Sequence, residues 1–180
     1  MKVTTLHQLE KFAIANATYI LVAGGIGIGK SHIISSAMPF VPIMDIDHEM
    51  DKYGLTKYNE KNMLQCRKSL STKIKSMIAN GASLVAMGTA ADTVFTIDRL
   101  YGAKQAGMKT ALVHITAPHY QARLQNEARR EQGRRAVPVE DEYLLRRTIT
   151  ESAMTVSTVG PSTLVDIFIH IDNTRKTVLL

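Results

Sequence analysis

The sequence predicts an α/β domain in which a parallel five-stranded sheet carries helices on both faces. Five short apolar, β-branched runs, Tyr19 to Ala23, Phe40 to Met44, Ser83 to Met87, Thr110 to Ile115 and Leu164 to Ile171, read as buried strands. Amphipathic helical patterns lie between them, and that alternation implies parallel pairing through right-handed crossovers. The first run leads straight into a glycine-rich turn that opens a helix-like stretch.

A leading helix is expected at about Thr5 to Asn16, ahead of the first strand. The clearest later helix places Met63, Leu70, Ile74, Met77 and Ile78 on one apolar face and lysines on the other, and it stops at Asn80-Gly81. No repeat, low-complexity tract or Pro/Ser-rich linker divides the chain, so residues 1–180 read as one domain.

A composition of 45% hydrophobic and 21% charged residues is that of a globular protein and excludes disorder as the starting assumption. The lone cysteine, Cys66, has no partner for an internal disulfide, and no Cys/His cluster has zinc spacing. A cytoplasmic setting is therefore expected. Met1 to Asn16 interleaves His7, Glu10 and Lys11 with its apolar positions, unlike a signal peptide. No apolar run reaches the roughly 20 residues that span a bilayer, so no membrane association is expected.

The formal charge of 22 − 16 = +6 is concentrated. Lys57 to Ile78 holds +5, from Lys57, Lys61, Arg67, Lys68, Lys73 and Lys75 against Glu60. Arg123, Arg129, Arg130, Arg134 and Arg135 against Glu127 and Glu131 add +3. Such clusters suit anionic partners, nucleic acid among them, although a solvated helix face has the same composition.

Gly24-x₄-Gly29-Lys30-Ser31 is a complete Walker A pattern between strand and helix, which makes the domain a P-loop NTPase. Glycines let successive N–H groups turn toward phosphate oxygens, and the helix starting near Lys30 adds its N-terminal dipole. ATP contacts are expected from Gly24, Gly25, Gly27, Ile28, Gly29, Lys30, Ser31 and His32. The Lys30 ammonium suits the β/γ-phosphates and the Ser31 hydroxyl suits Mg²⁺. There is no Asn-Lys-x-Asp guanine-reading motif, and the Asp-x-x-Gly at Asp51 to Gly54 lies well past its strand, so a GTPase is disfavoured.

The second strand runs into Asp45-Ile46-Asp47-His48, at the end of the sheet where the P-loop lies. One carboxylate can accept a proton from an attacking hydroxyl and the other can bind Mg²⁺; alternatively one of them caps the next helix. Arg123, Glu127, Arg130 and Arg134 recur at helical steps and are expected to form one stripe. Gly133 breaks that helix, and a second one, Val139 to Ser152, carries Arg146 and Arg147. Together these make an Arg-rich helical lid, about 119–150, whose guanidinium forks can bridge phosphate oxygens.

The order of P-loop, Asp-x-Asp, Gly88-Thr89 and Gly107-Met108-Lys109 resembles the zeta-toxin and polynucleotide-kinase group of P-loop kinases. So does Gly133-Arg134-Arg135-Ala136-Val137-Pro138 with Arg146-Arg147 and the closing Asp172-Asn173, which is similar to the zeta-type lid and to that of phage polynucleotide kinases. The resemblance runs from Tyr19 onward. It implies an ATP- and Mg²⁺-dependent phosphotransferase with Asp47 as general base, Ser31 and Asp45 toward the metal, and Lys30, Arg129 and Arg130 at the transferring phosphate. Arg134 and either Arg146 or Arg147 fall to the nucleotide. Asp47, Thr89, Lys68, Lys73 and Lys75 fall to the acceptor. Two departures, Met50 where the family has arginine and Gly88 where it often has an acid, bear on the acceptor. The expected acceptor is a nucleic-acid hydroxyl, at a polynucleotide 5′ end or on a hydroxymethylated base. A UDP-sugar or small metabolite is the alternative, and a non-catalytic ATP-dependent binding protein is a third class.

Overall fold

A computed structural model describes residues 3–56 and 59–174, so Lys57 lies outside the described residues. Helix α1 (Leu6–Ala15) begins on a capping box: the Thr5 side chain accepts from the Gln8 backbone while Gln8 reaches back to the Thr5 N–H. Then follow β1 (Thr18–Ala23), α2 (Lys30–Ala37), β2 (Ile43–Met44), α3 (Ile46–Lys52) and α4 (Glu60–Ala79). The chain continues through β3 (Leu84–Met87), α5 (Thr93–Gln105), β4 (Lys109–Thr116) and α6 (His119–Glu131) to α7 (Tyr143–Val159) and β5 (Ile167–Asp172). No helix among the described residues is long and apolar enough to cross a membrane.

All the strands pair in parallel in the order β2-β3-β1-β4-β5, giving the five-stranded sheet expected from the alternation. Side chains of β1 alternate between two buried layers, as the period of a strand requires. Ile20 and Val22 meet Leu9 of α1, Ile34 of α2 and Ala122 of α6. Tyr19 and Leu21 meet Ile74 of α4, Leu100 of α5 and Val156 of α7. From β1 the chain runs out to edge strand β2, returns to β3 and then crosses to β4, which opens a crevice at the carboxyl end of β1.

Both edge strands are shorter than their apolar runs. At β2 only Ile43 and Met44 pair, because Pro42 has no N–H to donate and Phe40 stands 78% exposed. At β5 the run from Leu164 is held off the sheet by Asp166, whose carboxylate accepts from the Thr110 N–H at 2.9 Å and from Lys104 at 2.9 Å. The lid differs too. Helix α6 ends at Glu131 and Gly133 reverses the chain at φ 64°, so Arg134 lies on a loop rather than on the arginine stripe. The expected second lid helix is a short 3₁₀ turn, Val139–Asp141, followed by α7.

Cys66, Leu70 and Ile74 form the buried seam of α4, but its lysines are not all solvated. Lys73 is paired with Glu49, a carboxylate only 4% exposed that also accepts from the Ser69 hydroxyl at 2.5 Å. Burial alone would raise the Glu49 carboxyl; hydrogen bonds from Lys73 and Ser69 outweigh it and hold it below the usual glutamate range. The hydrogen bond to Glu49 raises Lys73 in turn.

A depressed carboxylate contributes stability above its unfolded pKa and loses it as pH falls through the folded value, while a raised lysine loses its contribution at alkaline pH. The pair should therefore stabilise the fold from about pH 4.5 to about pH 10.5. Glu49→Gln should lower stability at pH 7 by about 1–2 kcal/mol, since the ammonium is partly exposed, and should flatten the acid limb. Urea unfolding at pH 7 and pH 4 measures both.

Candidate active site

Residues 24–29 turn back on themselves at the end of β1. Gly29 adopts the left-handed conformation, φ 89°, and hands the chain to α2 at Lys30. The Lys30 Nζ donates to the Gly24 and Gly25 carbonyls at 2.9 and 2.7 Å. Enclosure by protein pulls its pKa down to about 8, against the opposing pull of Asp45 and Asp47, and the Arg129 cation lowers it further. A polyphosphate placed there would keep the proton on Lys30.

The loop is buttressed from behind by the far end of the chain. The Ile26 N–H donates to the Thr148 hydroxyl at 3.1 Å, and Thr148 passes its own proton to Leu144 O at 2.8 Å. Asn173, just after β5, donates to Ile28 O at 2.7 Å. Gly25 is a glycine for want of space: a Cβ there would lie 2.3 Å from Ile149 Cγ1.

Register carries Asp45 to the loop, since Met44 pairs with Ala86 and Ala86 with Leu21. Asp45 is buried and uses both oxygens. Oδ1 accepts from the Asp47 N–H at 3.1 Å and caps α3, while Oδ2 accepts from the Ser31 hydroxyl at 2.9 Å. Of the sequence's alternatives, capping is thus observed for Asp45, and its second oxygen meets the P-loop serine. A hydroxyl and a carboxylate are hard oxygen donors, which fits Mg²⁺ held largely by phosphate and water. Among the described residues no group of three His, Cys, Asp or Glu forms a fuller cage.

Both residues line a cavity of about 1500 Å³, against roughly 300–1000 Å³ for a typical ligand pocket. Gly27, Ile28, Gly29, Lys30, Ser31 and His32 line it from the P-loop and α2, and Arg129 and Arg134 line it from the lid. Asp47 and Thr89 line it as well, and Lys68 comes from α4.

Other expected residues face elsewhere. Arg130 bonds Val137 O and Glu142, both at 3.2 Å, and so braces the lid. Arg146 is exposed, and Arg147 is exposed and bound to Glu151 at 2.7 Å. Lys75 is exposed away from the cavity, and Lys73 belongs to Glu49.

The structure also brings in arginines that the motifs did not single out as site residues. Arg67 and Arg99 line the cavity. The Arg99 guanidinium sits 4.2 Å from the Phe95 ring centroid, and its charge acts on the buried Tyr19 hydroxyl. Spacing of i,i+4 on one helix was the available signal, and it is common on ordinary helices. Arg135 reaches α3 from the lid loop.

Solved structures share this fold. A candidate kinase from Chloroflexus aurantiacus j-10-fl matches with a TM-score of 0.60 at 15% identity, over 87% of this chain and 88% of its own. A structure of the PezAT chromosomal toxin-antitoxin system of Streptococcus pneumoniae matches at 0.59 and 13% identity, over 94% and 70%. The AvrRxo1-ORF1:AvrRxo1-ORF2 complex matches at 0.55 and 15%, over 91% and 62%. No family model and no curated protein sequence matches the chain. The likeness is one of fold, and function has to be argued from the site.

The Gly25 contact is directly testable. Gly25→Ala should lower stability by about 1–3 kcal/mol through overpacking and weaken ATP binding by shifting the loop. Adding Ile149→Ala removes the nearest clashing atom and should recover part of both, as read by thermal unfolding and by titration with a fluorescent ATP analogue.

Proposed function

We propose that the chain is an ATP-dependent kinase that transfers the γ-phosphate to a hydroxyl of an acceptor that itself carries phosphate. The observation that carries this reading is that Asp47, a half-exposed carboxylate, lines the same cavity as Lys30 and Ser31, together with more cations than one nucleotide requires. Lys30, Arg129 and Arg134 come to it from the P-loop and the lid, and Arg67, Lys68 and Arg99 come from α4 and α5. No ion pair ties up Arg67, Lys68 or Arg99 among the described residues, so their charge is available to a ligand. An ATPase has no use for a second anion site, whereas a phosphorylated acceptor does. The fold shared with a candidate kinase agrees with this reading without carrying it.

In this scheme Asp47 takes the proton of the acceptor hydroxyl as its oxygen attacks phosphorus and the bond to the leaving ADP oxygen breaks. Lys30 and Arg129 offset the charge that builds on the transferring group and the leaving oxygen. The Ser31 hydroxyl and Asp45 would hold Mg²⁺, which supplies further neutralisation of the phosphates. The lid loop excludes water that would otherwise compete as acceptor.

A nucleic-acid end or modified base remains one acceptor, and a sugar nucleotide is the other. The latter gains ground from α4, where Lys73 is committed to Glu49 and Lys75 faces away from the cavity, leaving Arg67 and Lys68 as its contribution. A few cations suit one or two phosphates better than a strand.

Transfer from labelled ATP should be assayed across single- and double-stranded DNA, RNA, hydroxymethylated DNA, UDP-sugars and free nucleosides. Lys30→Ala should cut turnover by about 10²–10³. Asp47→Asn should cut it by about 10²–10⁴ with ATP affinity nearly intact. Arg99→Gln should raise the acceptor KM and leave that of ATP unchanged. Slow ATP hydrolysis with no labelled acceptor in any arm would instead indicate a nucleotide-gated binding protein, and a preference for free nucleosides would remove the second anion site from the scheme.

A further inference from the structure

The lid loop between α6 and the 3₁₀ turn is anchored twice, on opposite sides. Val137 docks on α6, where its N–H donates to Asn126 Oδ1 at 2.8 Å and its carbonyl accepts from Asn126 Nδ2 at 3.0 Å. Two residues earlier, Arg135 docks on α3. Its Nη1 donates to Leu55 O at 2.6 Å, its Nη2 donates to Asp47 O at 2.9 Å and pairs with the Asp51 carboxylate, and its Nε lies 3.8 Å from Asp47 Oδ1. The side chain is 15% exposed, so its bonds to the two carbonyls are partly sheltered, while the Asp51 carboxylate lies toward water. Arg134, the neighbouring residue, is the one whose side chain lines the cavity.

We propose that Arg135 is a positioning residue for phosphoryl transfer, a strap that ties the lid loop to α3 and holds the Asp47 carboxylate in register with the phosphate cradle. The inference rests on the reading of Asp47 as the base. A planar guanidinium can take two carbonyls and a carboxylate in one plane, which fixes the end of α3 and the loop as a single body. Helix α3 is short and its first turn is set by Asp45, so its rotation decides where the Asp47 side chain points. The strap supplies a second fixed point on that helix. Catalytic geometry is unforgiving here: a misplacement of about 1 Å costs on the order of 10²-fold in rate.

The experiment is a double-mutant cycle on the full chain, with turnover, ATP affinity by fluorescent-analogue titration and thermal midpoint measured for each protein. Arg135→Ala should lower kcat on the order of 10²-fold while ATP affinity stays within about threefold. Arg135→Lys keeps the charge and loses the fork, and should recover only a small part of the rate. In the Asp47→Asn background, Arg135→Ala should add less than about threefold, because its effect runs through the carboxylate already removed. A full multiplicative loss in that background, or unchanged kcat in folded Arg135→Ala, overturns the strap. Should Arg135→Ala fail to fold, Arg135→Lys and Asp51→Asn complete the same cycle under the same criteria. The two readings fail differently. If Asp47→Asn keeps full turnover while Lys30→Ala abolishes it, the base assignment falls and the strap falls with it. If Asp47→Asn is damaging and the Arg135 variants are harmless, only the strap falls.

Discussion

A phosphate cradle is a stretch of backbone whose N–H groups converge instead of pairing along the chain, and the packing around residues 24–29 is what holds that stretch in place. Unpaired N–H groups are costly in a protein interior, so the loop would collapse onto other partners if its surroundings allowed it. Here the surroundings do not. The carbonyl of Ile28 is taken by Asn173, one N–H is taken by Thr148, and Ile149 closes the space behind Gly25. Lys30 meanwhile neutralises the carbonyls that face inward. The buttresses come from α7 and the end of β5, at the far end of the chain from β1, so the cradle is complete only once the whole sheet has assembled.

That dependence explains which parts of the molecule were legible in the sequence. The strands flanking the loop were legible because a strand buried on both faces reads as an unbroken apolar run. Boundaries at the sheet edges were not, because Phe40 and Leu164 have the composition of a strand without the backbone partners. The P-loop and Asp45 were legible because their chemistry is local. Arg135 and the Glu49–Lys73 pair were not, since each joins segments far apart in sequence and nothing near either partner signals the other. The arginine stripe of α6 illustrates the limit well. Helical spacing correctly put Arg123 and Glu127 together, but whether a given arginine faces phosphate or a lid carboxylate depends on the path of the loop after Gly133.

Charge in the cavity is distributed with a purpose that the net value of +6 conceals. Its lining brings Lys30, Arg67, Lys68, Arg99, Arg129 and Arg134 together with the carboxylates of Asp45, Asp47, Asp92 and Asp141. Arg130, Arg147 and Lys73 lie outside this arrangement, and each has a carboxylate partner, at Glu142, Glu151 and Glu49.

Asp45 joins the two halves of that design. A carboxylate has two oxygens, and here one starts α3 while the other meets the Walker serine, so the cap that sets the helix and the partner of Ser31 are the same side chain. Because the cap bond comes from the Asp47 N–H, the backbone of the proposed base is fixed by the residue that also bonds the P-loop serine. Arg135 grips the carbonyl of that same residue from the other side. The peptide groups of Asp47 are therefore held at both the N–H and the C=O, one through the P-loop and one through the lid. A backbone held from both ends leaves the side chain its own rotamers as its main freedom, and that is the condition under which a short helix on the edge of a sheet can carry a precise catalytic group.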